Sequence, residues 1–313
     1  MVAEAPRPGQ RPRSARAGPI GHTCGSVIAI LGGLATAVLW ATTLLGSARS
    51  ARLIGSWSTL GWVMLIGLAV TVPLIVFTSP PVVLEQREIV YLTVAGIANS
   101  GGLLLVYTAL RRGKVGVVGP IVSTEGAIGA TLAIVAGDPI TGPALAVLAL
   151  IAVGVVLAAV DRRAADPAED AAPVISVVTA LLALGGALLF GINLYATSRI
   201  AADLPLAWAV LPARVAGVIG VTIPLLVLRR LVITRAALPF VVLVGIAEVA
   251  GGATYAWGSR DSAAIAAVLA SQFAGIAAIA AYFLYGERLT RVQVVGVATI
   301  AIGVGLLAAV QAL

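Results

Sequence analysis

The chain has 313 residues, of which 60% are hydrophobic and 11% charged, with a mean hydropathy of +1.08 and a formal net charge of +7. So little polar surface cannot coat a water-soluble globule of this length, and the composition defines an integral membrane protein. The basic excess is scattered over short connections and forms no basic face interleaved with aromatics, which excludes nucleic acid as a partner. One cysteine, Cys24, and one histidine, His22, exclude disulfide frameworks, Cys/His metal centres and His-based catalysis, so no cofactor is expected.

In chain order, residues 1–23 are rich in Pro and Arg, lack an apolar period, and read as a disordered basic tail. Long unbroken apolar runs then follow, which point to helices, because a membrane barrel alternates in short pieces. The runs cover 24–46, 57–78, 88–110, 115–136 and 140–160, and, after a hydrophilic linker at 161–173, 174–198, 204–228, 238–258, 263–285 and 292–312. The expected fold is therefore an all-α integral membrane protein of ten transmembrane helices. The first of them is too long for the apolar part of a secretory signal.

The two halves, 24–160 and 174–313, repeat one another. With Gly286 set over Gly137, the corner Gly286-Glu287-Arg288-Leu289-Thr290 falls on Gly137-Asp138-Pro139-Ile140-Thr141, Gly303-Val304 on Gly154-Val155, and Gly245-Ile246-Ala247 on Gly96-Ile97-Ala98. With a small drift, Val70-Thr71-Val72-Pro73 matches Val221-Thr222-Ile223-Pro224, and Trp40 falls opposite Phe190. Five helices per half is an odd number, so two copies in series enter the membrane from opposite sides, giving two inverted five-helix repeats. Inverted halves that exchange conformations supply the geometry of alternating access; the plainer alternative is duplication that only enlarged the bundle.

Polar groups inside the helices are the candidate site, because desolvating them costs several kcal/mol unless they are paired or wet. Three are ionisable: Glu125, Arg214 and Glu248. Asn99 is the repeat counterpart of Glu248 and is expected beside it near the pseudo-axis. Glu125 and Arg214 have apolar counterparts, so they are the residues that set substrate or coupling chemistry. Two alternatives stand beside that reading: Arg214 paired with either glutamate as a structural bridge, and the glutamates as carriers of a proton as coupling ion. Asn193, mid-helix, Tyr107, Gln272, Tyr255 and Trp257 complete the candidates, with Trp40 and Trp208; the aromatics also suit interfacial anchoring. Asp138 and Glu287 read as helix-terminal charges. Ala266, Ala270, Ala274 and Ala278 form a small-residue stripe for close helix packing. No Ser/His pairing, intramembrane Asp pair or metal cluster suggests an enzyme.

The repeat corner, the following Gly-punctuated helix, the Phe190-Gly191-Ile192-Asn193 segment that opens the second half, and Arg214 together resemble the EamA-type branch of the drug/metabolite transporter superfamily. The first half departs from that pattern in Asp138-Pro139 and in lacking an Arg opposite Arg214. The resemblance implies a multi-pass permease of the plasma membrane, commonly an exporter of small metabolites or toxic compounds, with the bilayer and a small-molecule substrate as its partners. A lipid flippase or a non-transporting structural protein on the same scaffold is the alternative, and both monomer and homodimer remain open. The resemblance and the tail arginines Arg7, Arg11, Arg13 and Arg16 place the termini in the cytoplasm, whereas loop arginines such as Arg111, Arg112, Arg162 and Arg163 favour the opposite orientation.

Overall fold

The computed structural model describes residues 20–78, 84–136, 142–159, 177–201 and 203–286, with parts of 291–306. Most of the expected tail, the linker, and the corner residues Glu287–Thr290 and Asp138–Thr141 lie outside them. Every regular element among the described residues is helical. In order these are α1 (Ile20–Ile54), α2 (Ser56–Val76), α3 (Gln86–Arg112), α4 (Val115–Val122), α5 (Glu125–Val135), α6 (Gly142–Ala159), α7 (Val177–Ala201), α8 (Leu206–Gly217), a π turn (Val218–Thr222), α9 (Ile223–Val227), α10 (Leu238–Ala270) and α11 (Phe273–Tyr285). Among the described residues six helices are long and apolar enough to cross a membrane: 27–54, 56–76, 86–112, 177–201, 206–227 and 238–261.

Three boundaries differ from the sequence expectation, each for a local reason. The first helix was expected to end at 46 and runs on to Ile54: Gly46 stays helical, packed against Val244, and the helix ends before Gly55, whose φ of 83° only glycine adopts easily. Its last turn is fastened by Arg52 donating to the Gly113 carbonyl at 2.9 Å. The run 115–136, expected as one helix, is interrupted at Ser123-Thr124. Both hydroxyls turn back onto the carbonyls of Pro120 and Ile121, 2.8 Å away in each case, and compete with the helical ladder. The break expected between 258 and 263 is absent, since Ser259-Arg260-Asp261-Ser262 contains neither Gly nor Pro. It comes instead at Ser271-Gln272, where Ser271 donates back to the Ala267 carbonyl at 2.9 Å.

These two interruptions have the same backbone pattern. Thr124 N–H donates three residues back to Ile121 and Ile128 N–H resumes the ladder on Thr124; Gln272 N–H donates three back to Leu269 and Ile276 N–H resumes on Gln272. After α11 the chain turns at Gly286, in the left-handed region at φ 66°, so the glycine of the repeat corner ends the helix as a C-terminal cap.

The helices pack chiefly across the two halves. α1 lies along α10 and α3 along α7; α5 packs on α7 and α11 on α1; α2 packs on α10 and α8 on α3; and α4 meets α11. Small residues set the closest of these approaches. A Cβ built on Gly32 of α1 would stand 2.7 Å from the Gly258 Cα of α10, so the two backbones touch there. One turn away, Thr36 and Thr254 hydrogen-bond across the same seam at 2.9 Å. The stripe Ala266, Ala270, Ala274 and Ala278 is buried along its whole length, across the interruption. Leu181, Leu184 and Leu188 of α7 and Leu243 and Ile246 of α10 point outward, giving the apolar exterior a hydrocarbon medium requires. Gly32→Leu is expected to force α1 from α10, lowering stability by about 1–3 kcal/mol, the usual range for overpacking, and visible as an earlier melt of the detergent-purified protein.

Candidate functional site

The interruption at Ser123-Thr124 makes Glu125 the first residue of α5, where a carboxylate meets the positive end of the helix. Glu125 is only 2% exposed, and its Oε1 has no hydrogen-bond partner. It faces a cavity between the helices. The walls come from both halves of the chain: Trp40, Thr43, Leu44 and Ser47 of α1; Asn99, Leu103, Val106 and Tyr107 of α3; Val122 and Glu125; Phe190, Asn193 and Leu194 of α7; Glu248 of α10; and Phe273 of α11.

Polar atoms at this cavity are left without protein partners in unusual number. Trp40 Nε1, Thr43 Oγ1, Asn99 Oδ1, Tyr107 OH and Glu125 Oε1 are all buried and unbonded among the described residues. Leaving such groups unsatisfied costs about 1–3 kcal/mol each, and native folds rarely do so outside functional sites. The arrangement is that of a site with donors and acceptors waiting for a ligand. Apolar and aromatic surface fills the rest. Trp40 and Phe273 meet edge to face, ring centroids 6.2 Å apart, and Tyr255 backs Trp40 at 6.1 Å.

Six of the residues singled out from sequence thus line one cavity: Trp40, Asn99, Tyr107, Glu125, Asn193 and Glu248. Arg214 stands behind the wall. Its Nη2 lies 3.6 Å from Glu248 Oε1, an ion pair longer than a hydrogen bond, with both side chains buried. Gly67 of α2 makes room for it, since a Cβ there would meet the Arg214 Cδ at 2.7 Å. Tyr107 lies within electrostatic reach of both partners. Tyr255 is held one layer out, donating to the Leu194 carbonyl at 3.3 Å. Gln272 precedes α11 at the interruption, half-buried, with Nε2 unpartnered. Trp257 is 37% exposed on the outer side of α10, and Trp208 is half-buried on α8, away from the cavity.

Thr43, Ser47 and Phe273 escaped the sequence reading because a hydroxyl or a ring in an apolar helix has no distinguishing signal of its own. The repeat register contained one: Thr43 falls opposite Asn193, which had been singled out.

Six helices of membrane-crossing length and apolarity among the described residues define the class, a multi-pass membrane protein. Residues 27–160 match the model of the EamA-like transporter family, a match that supports a membrane transporter. Among solved structures, one described only as "Crystal structure of protein" shares 19% identity and a TM-score of 0.65 over 89% of this chain and 94% of its own. That likeness is of fold alone. No curated protein matches.

Proposed function

We propose that this protein is a secondary transporter of small metabolites or drugs, built as two inverted five-helix repeats of ten spans, that carries its substrate through the central cavity by alternating access. The observation that carries the reading is the composition of the cavity wall. Ten of its fifteen lining residues fall into pairs about 150 positions apart, close to the register of the repeat: Trp40 with Phe190, Thr43 with Asn193, Leu44 with Leu194, Asn99 with Glu248, and Glu125 with Phe273. The helix contacts follow the same exchange, α1 on α10 answering α7 on α3, and α5 on α7 answering α11 on α1. The matching interruptions at Ser123-Thr124 and Ser271-Gln272 put a deformable point in each half beside the cavity. Such points suit halves that trade conformations.

Export across the plasma membrane is the direction and location the family resemblance favours, and the carboxyl groups of Glu125 and Glu248 supply sites for a coupling proton. The test is a thermal-shift screen of the purified protein against amino acids, nucleosides, polyamines and cationic drugs, beside Asn193→Trp, which fills the cavity next to Phe190. A substrate at one hundred times its Kd stabilises the parent by about 2.7 kcal/mol, and the filled variant is expected to show no shift. A ligand that stabilises both equally binds elsewhere and removes the cavity from the mechanism.

A further inference from the structure

The charge balance of the cavity narrows the substrate. Among its lining residues the carboxyl groups are Glu125 and Glu248, and there is no Lys, Arg or His. Glu248 is matched by Arg214 behind it, and the Arg214 side chain, 3% exposed, is withdrawn from the lumen. Glu125 belongs to no such pair, and its Oε1 is unpartnered. A cavity so arranged has one carboxyl group without a cationic partner and, among the described residues, offers no cation for an incoming carboxylate or phosphate.

What surrounds Glu125 decides which cation fits. A desolvated inorganic ion needs a continuous shell of oxygens, whereas here the oxygen-bearing side chains are interleaved with the apolar and aromatic surface of Trp40, Phe190, Phe273, Leu44 and Leu103. Aromatic faces attract ammonium groups and accept an apolar body alongside. We propose that the substrate is an organic monocation, a protonated amine on an apolar or aromatic body, with Glu125 as its counter-ion and the Trp40 and Phe273 rings as the seat of its body. An amine beside Glu125 completes the charge balance. A zwitterionic amino acid brings its carboxylate into a lumen with nothing to receive it, and a neutral analogue leaves Glu125 desolvated and unmatched.

This inference rests on the transporter reading and is tested separately from it. Binding of four probes, phenethylamine, phenethyl alcohol, phenylalanine and phenylpropionate, is measured by calorimetry on the full-length protein in nanodiscs. Phenethylamine is expected to bind at least tenfold more tightly than the other three. Glu125→Gln should erase that preference, and Glu125→Asp, which keeps the carboxyl group, should retain it. Equal binding of amine and zwitterion, amine binding indifferent to Glu125→Gln, or silence from all four probes overturns the proposal. In the first of these cases, loss of both ligands in Asn193→Trp would leave the transporter reading standing without it.

Discussion

Arg214→Ala is expected to cost about 3–5 kcal/mol of stability, the usual penalty for removing one partner of a buried ion pair. The loss follows from what stays behind. Glu248, 4% exposed, would be left in a low-dielectric bundle with its ion-pair partner gone, and the space that Gly67 leaves for the guanidinium would become a void. Glu248→Gln should destabilise in the same sense, by stranding the guanidinium, whose Nε and Nη1 already lack hydrogen-bond partners. The pair is therefore best tested as a pair. Arg214→Met with Glu248→Leu removes both charges at similar volume, and such replacements are often neutral or stabilising. The double variant is expected to melt near the parent and to have lost transport in proteoliposomes, because Glu248 also forms cavity wall. Recovery of both stability and transport would make the pair a structural bridge and nothing more.

The sequence announced the membrane class, the long helices and the polar residues that converge, because a charge or amide in an apolar run is conspicuous and expensive. Glu125, Glu248 and Asn99 were legible for that reason, and Asn193 with them. The ends of helices were not. Ser123-Thr124 and Ser271-Gln272 interrupt helices through side chains folding back on carbonyls, and the same residue types at Thr71 and Thr108 back-bond without breaking anything. What decides is the neighbouring turn, which composition does not show. Nor did sequence distinguish Tyr107, inside the cavity, from Tyr255, one layer behind it; both are aromatic, mid-helix and buried, and only the rotation of α3 and α10 separates them. Aromatic cavity wall such as Phe273 reads in sequence as ordinary core.

Alternating access makes a stricter demand on the cavity than ligand binding does, since one and the same residue must meet water from each side of the membrane in turn. Thr43 is suited to report it: it lines the cavity from α1 and its hydroxyl has no partner to lose. Cys24 is the one native thiol and is removed by Cys24→Ser. In this background Thr43→Cys is exposed to a membrane-impermeant thiol reagent, applied to sealed vesicles of both orientations, with substrate present or absent. The account predicts labelling from both faces, each slowed by substrate, and complete loss of transport once the label is attached. Labelling from a single face under every condition would contradict it and leave the cavity a one-sided binding site.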